Sequence, residues 1–238
     1  MKRTLLEMTQ SILSDMDSES VNSISDTVEA QQIASVIEDT FFNIVSARDI
    51  PEHRQLIKLT SLSDSTKPTH FTYPANTRVL DMIQYNIGTN YADVSYVEPM
   101  VFLDRMTPDV GIVVTDVKGG TPLYIRNDRM PTYYTSFDDE NIVMNSYDAS
   151  VEVILQNSKT RAYGYVYPTF SQTDDFTPDI DDNMLPYLLA EAKSVCFSLF
   201  KSGSDPKVEQ SARRLKSFVQ NDMYKTKQAN KRPHYGRT

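Results

Sequence analysis

Apolar residues recur at helical spacing at both ends of this chain, and between the ends the spacing changes to that of strands. At the start, Leu5, Met8, Ile12, Leu13 and Met16 form a stripe behind Thr4-Leu5-Leu6-Glu7. That opening is a capping-box sequence, whose hydroxyl and carboxylate can each accept a backbone N–H at the helix start. A second helix is expected from an Asp26 cap, with Glu29 reaching back, to about Arg48; its stripe is Ile33, Ile37, Phe41, Ile44 and Val45, and Pro51 lies just beyond. Near the other end, Leu185, Leu188, Leu189, Ala192, Val195, Cys196 and Leu199 repeat the period, with Gly203 placed to terminate it. Asp205-Pro206 then opens a last helix carrying Val208, Ala212, Leu215, Phe218 and Val219.

The middle reads differently. Short β-branched and aromatic runs separated by turn residues predict antiparallel strands at 56–60, 70–73, 79–86, 111–117, 122–126, 132–137, 142–147 and 161–167. Lys118-Gly119-Gly120 reads as a hairpin turn between two of them, and 98–103, with Pro99 in its first turn, as a short helix. The expected class is α+β. Residues 1–50 and 180–222 form one helical bundle, an antiparallel β-rich domain at 53–178 is inserted in it, and 223–238 form an extended C-terminal arm.

Charge sharpens the view of that arm. From Lys207 onward nine basic residues stand against Glu209 and Asp222, a net +7, whereas residues 1–206 carry 15 basic and 30 acidic groups, a net −15. An acidic body with a basic end suggests a tail that leaves its own domain for a partner, and a frayed, solvated terminus is the alternative. Beyond Tyr224 the sequence is polar and lacks large aliphatic residues, so it has little area to bury by itself. The longest apolar stretches, 110–114 and 194–200, fall short of the roughly 20 residues a membrane span needs. The N-terminal MKRTLLEMTQ has no apolar signal core, so the expectation is a cytosolic or virion protein without membrane contact.

The sequence offers little for catalysis. Its single cysteine, Cys196, excludes an intrachain disulfide and reads as a small buried hydrophobe. His53, His70 and His234 have no partner at metal spacing and read as surface or sheet residues. No phosphate-loop, dinucleotide or nucleophile-elbow motif occurs. Asp138-Asp139-Glu140 reads as a turn, and Asp174, Asp175, Asp179, Asp181 and Asp182 as a solvated loop feeding a helix cap; neither has the pattern of a calcium loop. No catalytic residue, metal or cofactor is therefore expected. The chain does have fourteen tyrosines and no tryptophan. Tyrosine suits wet contact surfaces between subunits, and Tyr133, Tyr134 and Tyr147 are the expected contact residues. Tyr163, Tyr165 and Tyr167, at alternating positions, can equally fill one sheet face.

Several segments together resemble the head-to-tail adaptor proteins of short-tailed bacteriophages, of the tail-tubular-protein-A kind. They are 21–30 (VNSISDTVEA), 133–140 (YYTSFDDE), Ser158-Lys159-Thr160 ahead of Tyr163-Gly164-Tyr165, and the ending Tyr235-Gly236-Arg237. The resemblance implies a structural virion protein of the neck, made in the host cytoplasm. It implies a homo-oligomeric ring, dodecameric in the family, that joins the portal protein above to the next tail component, a nozzle or tail-hub protein, below. DNA would pass through the lumen without specific binding, and an acidic body suits that passage because it repels phosphate. The C-terminal segment would dock on the portal through Tyr224, Lys225, Lys227, Lys231, Arg232, Pro233, His234, Tyr235, Gly236 and Arg237. The competing reading is a nucleic-acid-binding protein that uses the same basic tail, with Tyr224 and Tyr235 stacking on bases.

Overall fold

The computed structural model describes residues 2–47, 50, 53–108, 110–201 and 206–231, without the side chains of 222–231. The protein is mixed α+β. It divides into two compact units, one drawn from Met1–Glu52 with Pro168–Thr238 and the other from His53–Tyr167.

The first unit is helical. Helix α1 (Leu5–Asp15) opens with the expected capping box, in which the Thr4 hydroxyl accepts the Glu7 N–H and the Glu7 carboxylate accepts the Thr4 N–H. Helix α2 (Val28–Ala47) is capped differently from the expectation. The Thr27 hydroxyl accepts the Ala30 N–H at 3.1 Å, while the Asp26 carboxylate turns back to accept Asn22 N–H and Ser23 N–H in the connector. Asp26 thus shapes the approach to the helix, and its neighbour caps it. Helix α4 (Leu185–Phe200) packs against α2 and α1, and α5 (Pro206–Lys231) packs against α4. The core stripes are those the periodicity marks: Ile33, Ile37 and Phe41 on α2 and Leu188, Ala192 and Cys196 on α4 are buried. Each large side chain so removed from water contributes about 1.5–3 kcal/mol before entropy is charged against it.

Residues 168–178, placed by sequence at the end of the β-rich domain, group with the helices. Phe170 packs on Phe41, Phe42 and Phe176 with ring centroids 4.4–6.2 Å apart. The carbonyls of Phe176 and Asp174 accept the Leu5 and Leu6 N–H groups, two donors that a helix N-terminus leaves without an intrahelical partner. The Asp174 carboxylate accepts the Ile24 N–H at 2.8 Å. The acidic stretch expected as a solvated loop is, at this point, a clasp on the start of α1.

The second unit is built on an eight-stranded sheet in the order β1-β10-β4-β5-β8-β9-β3-β2. The strands are β1 (Arg54–Ile57), β2 (Thr60–Ser61), β3 (His70–Thr72), β4 (Thr77–Ile87), β5 (Asn90–Tyr96), β8 (Tyr133–Thr135), β9 (Asn141–Met144) and β10 (Thr160–Val166). Between β5 and β8 lie the short helix α3 (Pro99–Asp104) and a separate hairpin, β6 (Ile112–Thr115) with β7 (Pro122–Ile125), whose turn is the expected Lys118-Gly119-Gly120. β5 joins the two halves of the sheet, because Asn90–Val94 pair antiparallel with β4 while Ser95 and Tyr96 pair parallel with Tyr133 and Tyr134 of β8. The expectation of a purely antiparallel sheet is corrected by that parallel pair. A parallel neighbour needs a crossover connection, and α3 with the hairpin supplies it.

Candidate contact surfaces

The basic end of the chain begins as a helix. Ala212 and Val219 of α5 are buried, and Val208 and Leu215 are half-buried. Phe218 lies about a quarter turn off that stripe at 100° per residue, and it is 71% exposed. The side away from the stripe carries exposed Lys207, Arg213 and Arg214, and exposed Lys216 flanks the stripe on the side away from Phe218. The extended arm expected from residue 223 is corrected here: α5 runs on to Lys231, so Tyr224, Lys225, Lys227 and Lys231 belong to the helix. Residues 224–231 contain no glycine or proline and include the helix formers Lys, Gln and Ala, which lets the helix continue through them. Arg232, Pro233, His234, Tyr235, Gly236 and Arg237 lie outside the described residues.

Two of the three tyrosines expected at a contact surface are core residues. Tyr134 and Tyr147 are buried, and burial pushes the Tyr134 phenol up to about 12. Tyr134 sits in register with Met144 on β9 and meets the ring of Tyr96 edge-on at 5.5 Å. Tyr133 is half-buried; it packs edge-on against Phe102 at 5.5 Å and lies under the guanidinium of Arg105. Of the aromatics in this unit, Tyr96 is the more exposed, at 56%.

The titratable groups singled out in the sequence are taken up by packing. Burial pushes the Cys196 thiol up to about 12, which keeps it protonated and poorly nucleophilic at neutral pH. His53 is buried, with Nδ1 3.1 Å from the Tyr165 hydroxyl. His70 is wholly buried on β3, without a hydrogen bond at either ring nitrogen; the Asp116 carboxylate lies 3.7 Å from Nε2. Asp138 holds its turn as expected, accepting the N–H groups of Glu140 and Asn141 and the Asn141 side-chain amide. Sequence reading missed Glu152. Its buried carboxylate accepts from the Tyr85 hydroxyl and from Lys159 Nζ at 2.9 Å, while the Tyr85 oxygen accepts the Gln156 N–H at 3.1 Å. This network ties the loop before β10 to the sheet, and no local pattern around Glu152 announces it. Among the described residues, no three His, Cys, Asp or Glu side chains converge to hold a metal ion.

The helical unit also has an open groove on α2 and α4, of about 610 Å³, lined by Val28, Gln31, Gln32, Ser35, Val36 and Leu199 among others. Val28 is 72% exposed and Leu199 63%. No protein-family model matches the chain, and no curated protein matches it.

Proposed function

We propose that this protein is a non-enzymatic virion subunit, a head-to-tail adaptor that assembles as a ring between the portal and the next tail component. The observation that carries the reading is the apolar surface the helical unit leaves in water. Val28, Leu199 and Phe218 remain more than half exposed on helices whose other faces are already packed. A neighbouring subunit that covered these side chains would remove their apolar area from water. In this reading the helical unit makes the ring contacts, α5 with the residues after it docks on the portal, and the strand unit meets the tail, with Tyr133 and Tyr96 the aromatics best placed to contribute.

The same reading takes the architecture as a bundle closed by both chain ends, with the β domain inserted. What supports it is that β1 and β10, the first and last strands of the sheet unit, are paired neighbours, Arg54 opposite Tyr165. An insertion needs its entry and exit side by side.

The test is assembly. Native mass spectrometry and electron microscopy of the purified protein, alone and with the portal protein of the same virion, should show closed rings. Truncation after Met223 should leave a folded chain that no longer binds the portal. A strictly monomeric protein at high concentration, with or without portal, sinks the adaptor reading. Salt-dependent binding of duplex DNA that disappears with the same truncation would favour the nucleic-acid reading instead.

A further inference from the structure

The strand unit is acidic, with thirteen Asp and Glu against ten Lys and Arg between His53 and Tyr167. Against that background, three of its six arginines, Arg105, Arg126 and Arg129, line a single cavity of about 130 Å³ between the end of α3 and the segment that follows β7. We propose that this cavity is a binding site for one oxyanion group, a carboxylate or a phosphate.

The arginines are held in different ways, and the difference matters. Asp128 sits between Arg126 and Arg129 and is bidentate to both, taking Nε and Nη2 of Arg126 at 3.1 and 2.8 Å and the same atoms of Arg129 at 3.2 and 3.3 Å. A guanidinium has five N–H donors, so each keeps donors beyond the two given to Asp128. One carboxylate between two guanidiniums leaves that trio with a net charge of +1. Arg105, by contrast, has no carboxylate partner among the described residues; its guanidinium lies 5.4 Å from the centre of the Tyr133 ring. Among the described residues, the lining arginines with Asp128 therefore carry an excess of about two positive charges, with hydrogen-bond donors in the forked geometry that matches carboxylate and phosphate oxygens.

The backbone beneath these side chains is tied down. Arg126 N–H donates to Asn145 O, Tyr147 N–H to Arg126 O and Ala149 N–H to Asn127 O, which stitches residues 126–128 to 145–149. Asn145 also lines the cavity; its Oδ1 accepts the Thr132 and Tyr133 N–H groups and its Nδ2 donates to the Thr132 hydroxyl at 3.2 Å. With its oxygen accepting from Asn145, the Thr132 hydroxyl has its proton to give. Positioned donors on fixed backbone lose little freedom when a ligand arrives, which is what separates a site from a cluster of loose surface charges. The volume admits a single oxyanion head with a water or two, each water needing about 30 Å³. The proposal is drawn from the strand unit alone and does not depend on ring assembly.

The experiment uses the full chain labelled with ¹⁵N, titrated with sodium phosphate and separately with sodium succinate at constant ionic strength held with chloride. The Arg Nε–H resonances are read. Signals of Arg105, Arg126 and Arg129 should shift together and saturate with one dissociation constant. Arg105→Gln, a change at an exposed residue, should weaken binding at least tenfold, and Arg129→Gln should do the same independently. Arg161→Gln, where the arginine stacks on Tyr91 with 3.6 Å to the ring centre and lies outside the cavity, should leave it unchanged. Saturation by phosphate alone identifies a phosphate group as the ligand, saturation by succinate alone a carboxylate, and saturation by both a general oxyanion site. Linear, non-saturating shifts with both anions, or binding in the two cavity variants as tight as in the unsubstituted protein, overturn the proposal.

Discussion

His70 shows how a single side chain can couple this fold to pH. Burial is the main reason its pKa lies below the ordinary value of 6.5, with Lys67 acting in the same direction and Asp116 and Asp138 opposing. The unfolded chain therefore takes up this proton first as pH falls. Stability carried by the neutral ring is intact above the unfolded value of about 6.5 and drains away as the pH drops from there toward the depressed folded value. His70→Phe, which keeps a ring of similar size and removes the titration, should flatten the loss of stability as pH falls below about 6.5 in urea melts. An unchanged slope would assign that limb to the carboxylates. Glu152 makes a complementary point. Its buried carboxylate is tolerable because Tyr85 and Lys159 both reach it, and removing one partner of a buried charged pair commonly costs about 3–5 kcal/mol, less here because Lys159 is partly solvated. Neither environment is legible from sequence, since Asp116, Tyr85 and Lys159 come from other elements of the unit.

At the scale of elements, helix positions were legible and strand faces were not. The capping box of α1 and the stripes of α2 and α4 follow a period the chain carries locally. On β10 the simple alternation of Tyr163, Tyr165 and Tyr167 fails, because β4 bulges twice against it: Tyr163 pairs with Met82 but Gly164 with Leu80, and Tyr165 with Val79 but Val166 with Thr77. Each extra residue on the partner strand shifts the pairing, so Tyr165 is wholly buried while Tyr163 is half-buried and Tyr167 is 37% exposed. Gly164 makes the crossing possible, since a Cβ there would meet the Val79 carbonyl oxygen at 2.3 Å. Gly164→Ala should accordingly lower stability by about 1–3 kcal/mol, the usual cost of overpacking, read as a shift in the urea midpoint without change of slope. A neutral substitution would mean that the two strands separate easily. Strand β5 was missed altogether, although the signal was present. Ile87-Gly88-Thr89-Asn90 is a two-residue hairpin loop with Gly88 at a φ of 73°, and Val94 alone of the strand is buried.

For the whole molecule, the pairing of β1 with β10 brings the two ends of the strand unit together, and the residues of its main core cluster, among those described, fall between Ile57 and Ala162. A fragment spanning those residues should fold alone, with a β-type circular dichroism spectrum and a single cooperative melt. Failure to fold would mean that the unit depends on the helices for more than its covalent ends. The edges of the sheet are β1 and β2, of four and two residues, short enough to offer little template for unwanted strand pairing, which favours an excised unit that stays monomeric.

What the sequence determined by itself is what depends on neighbours a few residues away. Helical and strand periods, the Thr4 cap, the Gly119-Gly120 turn and the division of charge between body and tail all belong to that range, because capping bonds, turn geometry and amphipathic stripes are local. The tertiary structure alone decided which tyrosines are core, which carboxylate is buried, that β5 and β8 run parallel, and that Arg105 at the end of α3 meets Arg126 and Arg129 at one cavity. Those outcomes depend on register and on the crossover between β5 and β8, where one bulge or one parallel pairing redirects side chains across the whole sheet, and no short window of sequence contains both partners.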